Sequence, residues 1–248
     1  MKDGKSIVSG WSDGKIRAFL PQSGKLIYVI NDAHNHGCTS ITATDDGNRV
    51  VSGGAEGEVR VWKITKQTQV MEASLKEHRG RVWSIQLNKE NSQAVSCSAD
   101  GSCIIWDIKA YNRILCLFES TAFRQALLNP EEYQILTTGS DRKITYWEKY
   151  DGQIIRSIEG SEKELNTIAI TNDGNHFLSG GQDGLLKIWN YDEGVCYYIG
   201  EGHSGSIMKI KISPDQKTII TVGSEGALFF WNMPEEICKG EEPVIKKE

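Results

Sequence analysis

No stretch of this sequence could cross a bilayer. The longest aliphatic-aromatic run, ILCLF at Ile114–Phe118, is far short of the roughly 20 apolar residues that a spanning helix needs. Clustered cations are missing too: Lys and Arg number 28 against 33 Asp and Glu, for a net charge of −5. Phosphate binding requires concentrated Lys and Arg, so nucleic acid is a poor expected partner. The six cysteines (Cys38, Cys97, Cys103, Cys116, Cys196, Cys238) show no Cys-x-x-Cys spacing. They read as reduced small hydrophobes in a cytosolic protein rather than as zinc ligands. The opening MKDGKSIVSG has no apolar core of a secretory signal, and no Asn-x-Ser/Thr sequon occurs. No window keeps a 3.6-residue apolar period, so helices are not expected.

What the chain does have is a repeat. Aligned on Phe19, Trp62, Trp106, Trp147, Trp189 and Trp231, the steps are 43, 44, 41, 42 and 42 residues. Six residues before each anchor stands an acid: Asp13, Glu56, Asp100, Asp141, Asp183, Glu225. Four before each acid stands a hydroxyl: Ser9, Ser52, Ser96, Thr137, Ser179, Thr221. Ten before each acid is a second acid: Asp3, Asp46, Glu90, Glu131, Asp173, Asp215. A period near 42 residues is the mark of a repeat architecture.

Short runs rich in β-branched and aromatic residues, such as HFLSG, LLKIW and IMKIKIS, alternate with turn compositions such as TNDGN, SPDQK and Asp-Gly. Each unit is therefore expected to be an antiparallel sheet of four strands, a to d from the inside out. One such sheet cannot cover both its faces, so the units must stack. The expected fold is all-β, a β-propeller of six blade-like repeats over residues 1–231, followed by a charged tail at 232–248 whose Val244 and Ile245 could form a weak outer strand. Asp3–Gly4 falls in register with the a–b turn, and strand c of the last copy finishes at Trp231. That leaves an inner strand missing at the start and an outer one at the end. The expectation is a C-terminal piece or short isoform of a larger propeller, or else a six-bladed ring that borrows a strand from a partner.

These columns resemble the WD-repeat family, whose units open with Gly-His and close with Trp-Asp. The opening His lies 22 residues before the acid at His34, His78 and His203, whereas copies four and five have Glu119 and Ser161 there. Only copy three closes with a literal Trp-Asp, Trp106–Asp107. The resemblance implies a buried hydrogen-bonded tetrad in copy three (His78, Ser96, Asp100, Trp106), copy two (His34, Ser52, Glu56, Trp62) and copy six (His203, Thr221, Glu225, Trp231). Phe19 cannot donate a hydrogen bond, so the first blade is expected to be held by packing alone.

His78, Ser96 and Asp100 are also the residue types of a hydrolase triad. The hydroxyl and acid recur in every copy, whereas an active site is assembled once, and no Gly-x-Ser-x-Gly elbow accompanies them. No catalytic residue, cofactor or metal ligand is assigned. His34, His36 and Cys38 alternate, but they read as the opening His and an inward strand residue. Gly-rich SGGAEG and SGGQDG lack the phosphate-loop pattern and read as turns.

The expected activity is that of a non-catalytic scaffold binding proteins through a rim. Candidate rim residues are Trp11, Arg81, Trp83, Arg124, Arg142 and Met208, of types enriched at interface cores. GWSDGKIRAF, HFLSGGQDGLLKIWNYDEG and TAFRQALLNPEEYQILTTGSDRKITYW resemble a cilium- and flagellum-associated branch of the WD-repeat family. That resemblance implies an axonemal place, bound inside the doublet microtubule wall to tubulin and neighbouring inner proteins, with no membrane, nucleic-acid or small-molecule partner. The alternative is a substrate receptor of a ubiquitin ligase, but the nearest Trp-Asp-x-Arg is WDIK at Trp106–Lys109, and Lys lacks the bidentate fork of Arg.

Overall fold

The computed structural model describes residue 1 and residues 4–65 and 67–239. It separates into two compact units, one of residues 1–126 with 150–152, the other of 127–149 with 153–248. In the first unit, β1 (Ile7–Gly10), β2 (Ile16–Phe19) and β3 (Leu26–Ile30) form a three-stranded sheet. A second sheet runs β4 (Cys38–Ala43), β5 (Arg49–Gly54), β6 (Val59–Ile64) and β7 (Gln69–Leu75). A third runs β8 (Val82–Leu87), β9 (Gln93–Ser98), β10 (Ser102–Asp107) and β11 (Asn112–Phe118). The division between units falls inside β12 (Phe123–Leu128), which opens a sheet continuing through β13 (Gln134–Gly139), β14 (Lys143–Glu148) and β15 (Ile154–Glu159). The second unit also holds a sheet of β16 (Leu165–Ile170), β17 (His176–Gly181), β18 (Leu186–Asn190) and β19 (Cys196–Gly200). It ends with a three-stranded sheet of β20 (Ile207–Ile212), β21 (Thr218–Gly223) and β22 (Leu228–Asn232). Among the described residues, four of the six repeats are thus four-stranded, and the first and last have three strands each.

The strands pair antiparallel, as β5 with β6 and β17 with β18, and the turns explain why the strands end where they do. At the a–b turn of copy two, Asp46 accepts the Thr44 hydroxyl at 2.5 Å and the Asn48 N–H at 3.0 Å. Asp173 does the same for Thr171 and Asn175, and Asp215 for Ser213 and Lys217. Where the column holds Glu, one methylene too long for this turn, the work passes to an Asn two positions earlier. Asn88 Oδ1 accepts the N–H groups of Ser92 and Gln93, and Asn129 Oδ1 that of Gln134. The acid column is therefore turn chemistry. Asp3, its member in copy one, lies outside the described residues.

At the b–c turns the backbone enters the left-handed region, with Gly14 at φ 79° and Gly101 at φ 87°. Copy four puts Arg142 there at φ 71°, a conformation that costs a residue with a Cβ roughly 1 kcal/mol or more. Between the turns lie apolar cores. In the first unit Val51, Val59, Val61, Val82, Ile104 and Trp106 pack together, and in the second Leu136, Ile144, Tyr146, Leu165, Phe177 and Trp189 do so.

One expectation fails. A helix exists, α1 (Glu235–Lys239), where the sequence showed no helical period. Pro234 precedes it and Glu235 and Glu236 occupy its first turn, which suits a helix N-terminus. Its buried Ile237 joins Met233 in the core beside Ile210 and Ile219. Five residues are too few to show a period. The tail thus begins as a helix rather than a strand, and Val244 and Ile245 lie outside the described residues. Among the described residues no helix is long and apolar enough to cross a membrane.

The turn geometry gives a paired test. Gly14 and Gly24 both have positive φ, but a Cβ at Gly14 would lie 2.0 Å from the His34 carbonyl oxygen while one at Gly24 meets nothing within 4 Å. Gly24→Ala is expected to cost about 1 kcal/mol and Gly14→Ala at least about 3 kcal/mol. Urea melts of the two variants check this ordering, and equal losses would contradict it.

Candidate functional site

Each blade is organised around one buried donor. An indole N–H cannot accept, so a Trp pressed between strands must find an oxygen. Trp62, Trp106, Trp147, Trp189 and Trp231 donate to Ser52, Ser96, Thr137, Ser179 and Thr221 at 2.9, 2.7, 2.8, 2.9 and 2.8 Å. All five hydroxyl residues are fully buried. In each four-stranded sheet the c–d ladder slips by one residue just before the Trp, and in the first sheet just before Phe19.

In copy two His34 Nε2 lies 2.8 Å from Ser52 Oγ and its Nδ1 2.6 Å from Glu56 Oε1. The proton order follows. The carboxylate only accepts, so Nδ1 carries the hydrogen; Nε2 then accepts the serine O–H, and the serine oxygen accepts the indole N–H. His203 repeats this between Thr221 and Glu225. Copy three solves a shorter reach. Asp100 is one methylene shorter than Glu and stands 3.9 Å from His78 Nδ1. Ser102 bridges the gap, accepting from Nδ1 at 2.5 Å and donating to Asp100 at 2.5 Å. Sequence reasoning missed Ser102, although the Asp-for-Glu exchange was its signal.

Burial pushes the His78 imidazole down to about 4, with the Asp100 charge pulling the other way. Burial also lowers His34 despite its bond to Glu56. These rings are held neutral. Ser96 is enclosed and its oxygen is already shared by His78 and Trp106, so a substrate has no approach to it. Among the described residues no three His, Cys, Asp or Glu side chains converge as metal ligands.

Copies without the opening His use other groups. In copy five Ser161 donates to Asp183 at 2.7 Å, and Lys187 Nζ lies 3.5 Å from the same carboxylate while donating to the Gly160 carbonyl. Copy one uses Arg17, bidentate on Asp13 at 2.6 and 3.1 Å, which holds that carboxyl below its ordinary value.

Copy one is also where packing alone proves the wrong description. Trp11 Nε1 donates to Ser9 Oγ at 2.9 Å, the bond Phe19 cannot make, and Arg17 stacks on the same indole at 4.6 Å. The other copies forbid a large residue at this column. A Cβ at Gly54 would lie 2.3 Å from His34 Nδ1, and one at Gly223 2.1 Å from Glu225. In copy one the indole at this column serves the hydroxyl that the anchor Trp serves in the other copies. It remains 45% exposed.

The rim column has a backbone cause. Thr39, Trp83, Asn166 and Met208 are each skipped by the a–b register, as in Val82↔Ser98 followed by Ser84↔Cys97. Each is the extra residue of a β-bulge, which re-aims its side chain. Thr39 donates to the Val82 carbonyl at 2.6 Å and Asn166 to that of Ile207 at 3.0 Å. Trp83 receives two guanidinium groups, Arg81 at 5.0 Å and Arg124 at 4.7 Å from its centroid. Their carbons are thus at most about 10 Å apart, where like charges repel by roughly 0.4–1.7 kcal/mol. Met208 is exposed on its own blade, and Arg142 stands at the b–c turn.

Six β-sheet repeats, each with an indole bonded to a strand hydroxyl and three of them with an imidazole and a carboxylate beyond it, define a repeat scaffold. The WD domain, G-beta repeat family model matches residues 24–63, 69–107, 152–190 and 194–232, and the chain belongs to that family. The unmatched stretches, 1–23 and 108–151, hold copies one and four, with Phe19, Glu119 and Arg142 at their unusual columns. Cilia- and flagella-associated protein 52 of Mus musculus is 51% identical over 181 residues, 73% of this chain and 29% of that protein. The protein of that name from Chlamydomonas reinhardtii is 50% identical over 179 residues, 72% of this chain and 29% of its own length. Actin-interacting protein 1 of Drosophila melanogaster is 24% identical over 177 residues. The chain spans under a third of these relatives' length.

Acid should act through the buried rings. A His whose folded pKa is depressed contributes fully above its unfolded value near 6.5, and that contribution is lost as pH falls toward the folded value, about 4 for His78. Stability is expected to fall by up to about 3 kcal/mol over this window through His78, and His78→Gln, weaker at neutral pH, should show a shallower slope. Urea melts at pH 7.5, 6 and 4.5 measure it; parallel slopes would refute the assignment. For copy one, Trp11→Gly should cost about 1 kcal/mol, and Phe19→Trp should recover most of it by restoring the usual donor. A double-mutant cycle showing strict additivity would mean that the two rings do not share Ser9.

Proposed function

We propose that the chain is a non-catalytic protein-interaction scaffold of the cilium or flagellum, held to the doublet microtubule of the axoneme among tubulin and neighbouring inner proteins. One observation carries this reading: about half identity, across nearly three quarters of the chain, to proteins named for cilia and flagella in both a mammal and an alga. The structure supports the scaffold part physically. The Ser52 and Ser96 hydroxyls are enclosed and each is shared by an imidazole and an indole, while Trp11 and Met208 stand exposed on their blades. Trp11, Arg81, Trp83, Arg124, Arg142 and Met208 are the residues through which partners would be met.

The reading contrasts with a ubiquitin-ligase receptor. There Trp106 of WDIK would belong to a partner-reading motif, yet it is 1% exposed and bonded to Ser96. Proximity labelling with the full chain in ciliated cells is expected to recover tubulin and axonemal proteins. Recovery of cullin-adaptor subunits in their place would overturn the proposal.

A further inference from the structure

Leu228 and Phe230 break a rule that the other repeats keep. Both stand on β22, three residues and one residue before the anchor Trp231. At the column of Leu228 the other copies hold Ile16, Val59, Cys103, Ile144 and Leu186, all 0–2% exposed, whereas Leu228 is 53% exposed. At the column of Phe230 they hold Ala18, Val61, Ile105, Tyr146 and Ile188, all 0–4% exposed, whereas Phe230 is 67% exposed.

The apolar clusters show what ordinarily covers these columns. Ile144 and Tyr146 share a cluster with Phe177 and Trp189 of the following repeat, and Leu186 and Ile188 share one with Ile219 and Trp231 of the next. In the first unit Val59 and Val61 lie with Ala94 and Trp106, and Ile16 with Val50 and Trp62. A leading face, built from the residues one and three before the anchor, thus buries against a trailing face, built from the next repeat's anchor and the residue twelve before it. One trailing face is bare as well. Ile7 is 55% exposed, while Val50, Ala94, Ile135, Phe177 and Ile219 at its column are 0–1% exposed. Phe19, its partner across the β1–β2 ladder, is half-buried.

We propose that the leading face of the sixth repeat docks on the trailing face of the first repeat of a second copy of this chain, with Leu228 and Phe230 against Ile7 and Phe19. The contact makes between two molecules what Ile144 and Tyr146 make with Phe177 and Trp189 inside one, and it covers the bare apolar surface of both. The one charge on this face near the apolar pair's inner side is compatible with it. Exposed Lys211 stands on β20 at the column where Leu127 and Ala169 pack in the fourth and fifth repeats. Inner strands face inner strands in those clusters, and the first sheet begins, among the described residues, at its second strand. The Lys211 ammonium therefore keeps its water when the outer strands meet. Because the two faces differ, the contact is heterologous and propagates from copy to copy. It is independent of where in the cell the chain works.

Multi-angle light scattering of the full chain tests this. Between about 1 and 100 μM the mass is expected to rise toward at least twice that of the monomer. Joint Leu228→Lys and Phe230→Lys blocks the leading face, and Ile7→Lys blocks the trailing one. Each variant alone is expected to stay monomeric at about 100 μM, because the face it retains has no counterpart. Mixed in equal amounts, the two should form a dimer that grows no further, and that pairing itself shows both to be folded. Joint Leu228→Ser and Phe230→Ser, with Ile7→Ser, takes their place if a Lys variant loses the native circular dichroism spectrum. A wild-type chain that stays monomeric through the range would overturn the proposal. So would natively folded variants that fail to pair when mixed, or a blocked variant that associates alone as strongly as the wild type, since the contact would then lie on other surfaces.

Discussion

An indole N–H that can only donate, enclosed between strands in most of the blades, is the constraint around which the repeat is arranged. Placing Trp on the third strand fills the space between sheets with the largest side chain available, but it commits the neighbouring strand to an oxygen at one position. That oxygen must itself be satisfied, which calls for an acceptor beyond it, and an imidazole with its second nitrogen on a carboxylate completes the chain. Four columns of the repeat thus trace back to one donor. The small residues at Gly54 and Gly223 follow as well, since the imidazole and its carboxylate lie over them.

The departures obey the same accounting of donors and acceptors. Glu56 reaches His34 directly, whereas the shorter Asp100 needs Ser102. Where the imidazole is absent, Ser161 or Arg17 meets the acid. Copy one exchanges the places of its two rings and still delivers an N–H to Ser9. None of these blades keeps the family's spelling in full, yet in each the repeat's hydroxyl accepts an indole N–H.

The repeat, its strands and its hydroxyl and Trp columns were legible because each rests on spacing within one unit. The bond from Trp11 to Ser9 was not, although both residues lie two apart in sequence. Reading it required the approach of the indole nitrogen to the Ser9 hydroxyl, which spacing along the chain does not give. The helix at Glu235–Lys239 was hidden for another reason: one turn is too short to express a period, and its position depends on Ile237 finding a pocket in the core. The rim column could be listed from register, but its character as a row of bulges appears only in the ladder, where residue 83 is passed over between 82 and 84.

That row of bulges separates two kinds of variation. A residue inside the ladder is answerable to strand neighbours and to the face on which its period places it. A bulged residue is answerable to neither, so Thr39, Trp83, Asn166 and Met208 differ in size, charge and polarity while the strands that carry them remain alike. Each of these four blades therefore carries one position that can be rewritten without disturbing the frame, and a chain of such blades can acquire new neighbours one letter at a time.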